Sequence, residues 1–180
     1  MQEKMRYPAK ETAARHERIV KEASRLFRER GFENVTVGEV MQAAGLTHGA
    51  FYAHFGSKQE LEEAAVAYGQ RVSADRARSY GATKSGRRTF ADRYLSLRHR
   101  DNPGDGCTMA ALAQEVARST PELKAAFEKG FEEILSAQGG DRKESIFQIA
   151  ALLGGVTLAR AVQNARLSDE ILEIVRQKVS

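Results

Sequence analysis

The chain has 180 residues, 42% of them apolar and 29% charged, with a net charge of +4 and one cysteine, a composition that suits one compact globular unit or a small domain fused to a larger one. A lone cysteine excludes an internal disulfide framework and fits a reducing cytoplasm. No apolar run approaches the ~18 residues that span a bilayer, and the N-terminus lacks an apolar signal segment, so a cytoplasmic protein with no membrane partner is expected.

Residues 1–10 read as a mobile basic arm carrying Lys4, Arg6 and Lys10. Residues 12–30 then place Ile19, Val20, Ala23, Leu26 and Phe27 on one stripe, the spacing of an amphipathic helix. From residue 36 the pattern changes to two short helices and a tight turn. Thr36 and Glu39 are spaced as a capping box, flanked by Val35 and Val40 as a hydrophobic staple. Gly45 suits the left-handed position past a helix end. Thr47 is placed to cap a second helix containing His48, Gly49, Tyr52, Ala53 and His54, with Phe51 and Phe55 four apart to anchor one face. A second capping box, Ser57 with Glu60, opens the next helix and sets Lys58 in its first turn. Two helices of which the second is anchored by one face and bare on the other form a helix-turn-helix, and its bare face fits a DNA major groove. Thr36, Thr47, His48, Gly49, Tyr52, His54 and Lys58 are the candidate DNA contacts.

Residues about 15–61 resemble the N-terminal domain of the TetR family of bacterial transcriptional repressors. The matching stretches are Ile19-Val20-Lys21-Glu22-Ala23, Leu26-Phe27, Gly31-Phe32, Thr36-Val37 and Ala43-Ala44-Gly45-Leu46. The most specific runs from Gly49-Ala50-Phe51-Tyr52 through Phe55-Gly56-Ser57-Lys58 to Leu61. The resemblance implies that Tyr52 contacts DNA and that Lys58 meets a phosphate. His48 departs from the pattern, standing where the family often carries Lys or Arg. The resemblance covers about the first third of the chain.

Beyond it, residues 58–80 repeat an amphipathic stripe with Leu61, Ala64, Ala65, Tyr68 and Val72. Residues 81–86 read as a break, and 89–100 as a short helix with Phe90, Tyr94 and Leu97 inward. The run from Asp101 to Gly106 is the strongest loop signal. Residues 107–119 resume a helix, and Thr120-Pro121 starts another that ends at Gly139-Gly140. Positive charge gathers toward the front: 10 basic against 8 acidic residues over 1–60, 9 against 4 over 61–100, and 9 against 12 over 101–180. That asymmetry suits phosphate neutralisation, although exposed arginines also simply solvate helices. Nothing alternates with period two, so the fold expected is all-α.

Residues 142–165 are apolar nearly all round, and a final helix capped at Ser168 adds Ile171, Leu172, Ile174 and Val175. Leu153, Val156, Ala159, Ile171 and Val175 are the residues expected to pair with a second copy, burial within one protomer being the alternative. Dimerisation through the last two helices is also what the resemblance implies, and a two-fold dimer matches a palindromic operator.

The four histidines are scattered, and no catalytic, phosphate-binding or metal-ligand spacing is present. No enzyme activity, cofactor or metal is therefore expected. Phe90, Tyr94, Cys107, Met109, Phe127, Phe131 and Phe147 are candidate walls of an apolar cavity, though aromatics at helical spacing also serve as plain core; the resemblance implies a small-molecule effector there. Cys107, at a predicted helix start near Arg98 and Arg100, is a candidate sensor of oxidants or electrophiles. The expectation is a three-helix DNA-binding domain over 1–57 and a larger helical effector-binding and dimerisation domain over 58–180. It acts as a ligand-released repressor on a DNA operator. A carrier or enzyme with an incidental helix-turn-helix is the alternative from another class.

Overall fold

The computed structural model describes residues 9–81 and 83–179, so Lys4 and Arg6 of the expected arm lie outside the described residues. All regular structure among the described residues is helical. Helix α1 (Ala9–Arg30) already includes Lys10 and buries Ile19, Ala23 and Phe27 completely. Gly31 ends it at φ 81°, donating to Phe27 O at 2.8 Å. Helix α2 (Val37–Ala43) opens on the expected capping box: Thr36 Oγ1 accepts from Glu39 N–H, and Glu39 Oε2 accepts from Thr36 N–H at 2.8 Å. Gly45, at φ 68°, turns the chain into a 3-10 helix (His48–Ala53) where a full α-helix was expected. Thr47, expected to cap it, makes no side-chain cap hydrogen bond.

Helix α3 (Lys58–Tyr80) follows, and Ser57 Oγ caps it by accepting from Glu60 N–H. The second capping box closes one residue early, because the Glu60 carboxylate accepts from Gly56 N–H at 2.7 Å. The helix expected over 89–100 is two, α4 (Lys84–Tyr94) and α5 (Leu97–Asp101), each capped by a hydroxyl, Thr83 and Ser96. Gly86 sits inside α4, not in a break. A Cβ there would meet Tyr80 O at 1.9 Å, so its bareness lets α4 press on the end of α3. Leu97 is 51% exposed rather than inward. Past a short turn at Pro103–Asp105 come α6 (Thr108–Ala117), α7 (Pro121–Gln138), α8 (Arg142–Ala161) and α9 (Ala165–Val179).

Helix α3 packs along α7 over the longest contact in the molecule, and α8 along α9. Three buried clusters result. The first joins α1, α2, the 3-10 helix and the front of α3, closed by Leu112 and Val116 of α6 and Leu123 of α7. The second gathers Ala74, Cys107, Met109, Ile134, Leu135 and Ile149, and the third joins α4 to α8 and α9. Ser168 is no cap. It is buried, donates to Ala159 O at 2.6 Å and accepts from Arg100, while Asn164 Oδ1 accepts from Leu167 N–H.

Candidate nucleic-acid interface and effector cavity

The 3-10 helix owes its orientation to two rings. Phe51 is 2% and Phe55 3% exposed, stacked on each other at 5.6 Å between centroids. Turning those rings inward leaves Thr47, His48, Gly49 and Ala53 exposed and Tyr52 70% exposed, the largest bare aromatic in this half. His48 packs edge-on against Tyr52 at 6.4 Å, so the two form one surface feature. Thr36, Thr47, His48, Gly49 and Tyr52 thus reach solvent as expected. The Thr36 hydroxyl is nevertheless occupied by Glu39, to which it also donates at 2.8 Å. The Thr36 N–H, then the Arg30 guanidinium at 2.8 Å, hold the Glu39 carboxyl down at about 2.

Two candidate contacts are placed differently. His54 turns back toward α1, 5.9 Å from the His16 ring, and burial followed by the charges of His16 and Arg15 lowers its pKa. Lys58 Nζ donates to Phe32 O at 2.6 Å and stands 3.8 Å from Glu62 Oε1, so the ammonium expected on a phosphate is already engaged inside the domain. Residues 31–57 contain no Lys or Arg at all.

Behind this surface, two contacts tie the first cluster to the loops beyond it. Phe32 N–H donates to Glu115 Oε2 of α6 at 2.7 Å. Arg28 donates to Gly104 O through Nε at 2.9 Å and Nη2 at 2.5 Å, and to Ser24 Oγ at 2.6 Å. A bare Gly69 makes room, since a Cβ there would stand 2.9 Å from Arg28 Nη1.

Arg28 also borders a cavity of about 950 Å³ between α1, α3, α4, α5, α7 and α8. Phe90, Tyr94, Cys107 and Met109 line it, as expected. Phe127, Phe131 and Phe147 do not: the first two pack into the buried clusters, and Phe147 is 60% exposed on the outer side of α8. Helical spacing suggested inward faces for the six apolar candidates other than Cys107, but α8 has apolar residues on more than one side and only the neighbours decide which side is covered. The wall residues missed include apolar ones such as Ile134, Ile149 and Leu152 and charged ones such as Arg76, Arg93 and Arg98, the latter signalled by the basic excess over 61–100.

Cys107 is buried, and its N–H donates to His99 Nε2 at 3.1 Å while His99 Nδ1 faces Tyr94 O at 2.6 Å. That pair of bonds requires a neutral imidazole with its proton on Nδ1, in keeping with a pKa lowered chiefly by burial. Arg100 is turned to Asp101 and Asp169.

The residues expected to pair with a second copy mostly face inward. Val156 and Ala159 are fully buried, Ile171 and Val175 pack against α4 and α8, and Leu153 lines the cavity. The bare apolar side of the last two helices carries Phe147, Leu158, Leu167 and Ile174 instead, with Ala150 and Gly154 between them.

Residues 19–65 match the model of the family described as bacterial regulatory proteins, tetR family. The N-terminal domain belongs to the TetR family. A 52-residue stretch is 44% identical to an uncharacterized HTH-type transcriptional regulator, YerO, of Bacillus subtilis; it spans 29% of this chain and 18% of that protein. The matched stretches span only 18% to 27% of the curated relatives' own lengths. Solved structures extend the likeness to the whole fold. The reduced form of NemR from E. coli covers 93% of this chain and 95% of its own at TM-score 0.74 and 20% identity. A TetR transcriptional regulator from Chloroflexus aurantiacus covers 94% and 96% at TM-score 0.71 and 21% identity. The TetR-family helix-turn-helix is thus followed by a larger helical domain of the same architecture as those regulators.

Proposed function

We propose that the chain is a cytoplasmic transcriptional repressor that binds a palindromic DNA operator as a homodimer and is released by a small molecule held in the cavity. Residues 1–57 read DNA and 58–180 sense and dimerise. The observation that carries the reading is the exposed Thr47–His48–Gly49–Tyr52 edge, held out by two buried phenylalanines within a TetR-family domain. A side chain such as Tyr52, bare on a short helix following a tight turn, is placed to reach base edges in a major groove. The exposed Phe147–Leu158–Ile174 side of α8 and α9 supplies an apolar area for an isologous contact. Effector binding favours the arrangement of helices in which the two reading edges no longer fit both half-sites. The contacts Arg28–Gly104 and Phe32–Glu115 are where motion of the cavity wall reaches α1 and the loop before α2.

The test is selection of DNA from a random pool by the full chain, followed by a gel shift at several salt concentrations. A repressor selects an inverted repeat, and its affinity falls with salt. A carrier or enzyme with an incidental helix-turn-helix selects nothing.

A second reading rests on one observation: Cys107 lies on the cavity wall. A thiol-reactive molecule entering the cavity meets its sulfur, which makes oxidants or electrophiles an alternative signal. Operator release by a thiol-alkylating agent, present in the parent and absent in Cys107→Ser, separates this from reversible ligand binding.

A further inference from the structure

The wall of the cavity is unbalanced in charge. Six basic side chains border it against three acidic ones. Of the acids, Glu22 is paired with Arg25 at 3.0 Å and Asp92 stands 4.0 Å from Arg176, which leaves Asp105. Arg28, Arg76 and Arg98 have no carboxylate within ion-pair distance among the described residues. Arg28 is the most telling. Every group it donates to is neutral: Gly104 O, Ser24 Oγ and Thr108 Oγ1. Its guanidinium is therefore fixed in place with no carboxylate in ion-pair contact among the described residues. Burial lowers its pKa, and the Arg76 charge pushes the same way, while the Cys107 and Asp105 groups oppose them. A cation held beside a second cation in a partly desolvated space is costly, and a bound anion relieves that cost. His99, also on the wall, adds no charge because its two hydrogen bonds fix the neutral form.

The opposite wall is apolar. Met109, Ile134, Ile149 and Leu152 are each buried there, with Phe90 at the side. Tyr94 and Gln138 also border the cavity, with Tyr94 Oη and Gln138 Oε1 turned away from it into the packed interior. Burial, then the neighbouring Cys107, raises the Tyr94 pKa, so its phenol stays protonated beside the sulfur.

We propose that the cavity takes an amphipathic organic anion, its apolar or aromatic body against Met109, Ile149 and Leu152 and its carboxylate, sulfonate or phosphate head on Arg28 and Arg76. This rests on the reading of the cavity as the effector site and adds the chemistry of the effector. Arg28 gives that chemistry a consequence. It belongs to α1 of the DNA-binding domain, so an anion that draws its guanidinium from Gly104 O loosens the tie between that domain and the loop before α6.

The test uses two dyes with one ring system, anilinonaphthalene sulfonate and the neutral phenylnaphthylamine, titrated by fluorescence into the full chain. The sulfonate binds about tenfold or more tightly than the neutral dye, the worth of one charge-assisted hydrogen bond in a sheltered site. Arg76→Gln, at an exposed position that the fold does not need, removes most of that preference and leaves the neutral dye unchanged. Arg28→Gln does the same if circular dichroism shows it folded; Arg76→Gln decides the matter where it is not. Leu153→Phe, which narrows the cavity, weakens both dyes. Equal binding of the two dyes, or a sulfonate affinity indifferent to Arg76→Gln or to Leu153→Phe, overturns the anion proposal and leaves the effector reading standing. Binding of neither dye overturns both.

Discussion

The two halves of the molecule solve opposite packing problems. In the reading half, Ile19, Phe27, Val40, Met41 and Phe51 are all essentially inaccessible and belong to one continuous cluster. In the half proposed to sense, Leu112, Val116 and Leu123 join that first cluster, the remaining buried residues split into two more, and a cavity of about 950 Å³ lies against both of these. A filled core transmits displacement as a rigid body, while a core with a void of that size has room to rearrange. On the proposed function, the difference puts stiffness in the element that presents Tyr52 and softness in the one that responds to a ligand.

The sharpest way to break that comparison is a pair of core substitutions. Phe51→Ala should cost about 3–5 kcal/mol, since it removes a fully buried ring from a filled cluster. Leu153→Phe, which adds volume where space exists, should change stability by under about 1 kcal/mol, in contrast to the ~1–3 kcal/mol of overpacking a filled core. Denaturant unfolding of both reads the contrast directly, and equal losses would erase it.

Next in size is the outer face of the sensing half. Leu158 is 57% exposed, so Leu158→Asp should leave the protomer folded but yield a monomeric mass by light scattering. It should also weaken operator binding, because a monomer reaches only one half-site. A dimer that survives Leu158→Asp moves the interface elsewhere.

Acid should strain both halves through one histidine each. His54 in the reader and His99 in the sensor have pKa values lowered in the folded state, first by burial. The unfolded chain then binds protons that the folded chain refuses, so stability rises with pH across that window. Their contribution is complete above the ordinary histidine value of about 6.5 and is lost as pH falls below it. Melting temperature should accordingly drop between about pH 7 and pH 5.5, less steeply in His99→Gln. An unchanged pH profile in that variant would remove His99 from the account.

The reading half was legible in the sequence because its signals are local. Thr36 with Glu39, Gly45 past the helix end, and Phe51 with Phe55 each fix structure within a few residues, and each is found where the spacing puts it. Locality did not reveal the longer-range contacts of two candidate residues, Lys58 with Phe32 O 26 residues away and the His54 ring with α1. The sensing half turns on longer-range packing. Periodicity showed that α8 is apolar all round, but which side meets α9 and which stays bare is set by tertiary contacts. Val156 and Ala159 are therefore buried in the protomer where the outward face was expected, and Phe147 is bare where a cavity wall was expected. Likewise, the excess of arginines over 61–100 was visible, yet its arrangement around a cavity required the fold.

The smallest predicted effect concerns the missing charge at the reading edge. Since residues 31–57 hold no Lys or Arg, His48→Arg should add one phosphate contact and steepen the log–log salt dependence of DNA binding by about 0.9. No change in slope would mean that position 48 does not face the backbone.

The central claim, that the exposed edge of the 3-10 helix reads DNA, is tested most directly by Tyr52→Ala on the operator selected by the parent. The ring is bare, with His48 and Phe51 as its aromatic neighbours, so melting temperature should stay within a few degrees of the parent. Fluorescence anisotropy at one fixed salt concentration should show affinity reduced by about 1–3 kcal/mol, roughly ten- to hundredfold. Operator binding equal to that of the parent would contradict the account.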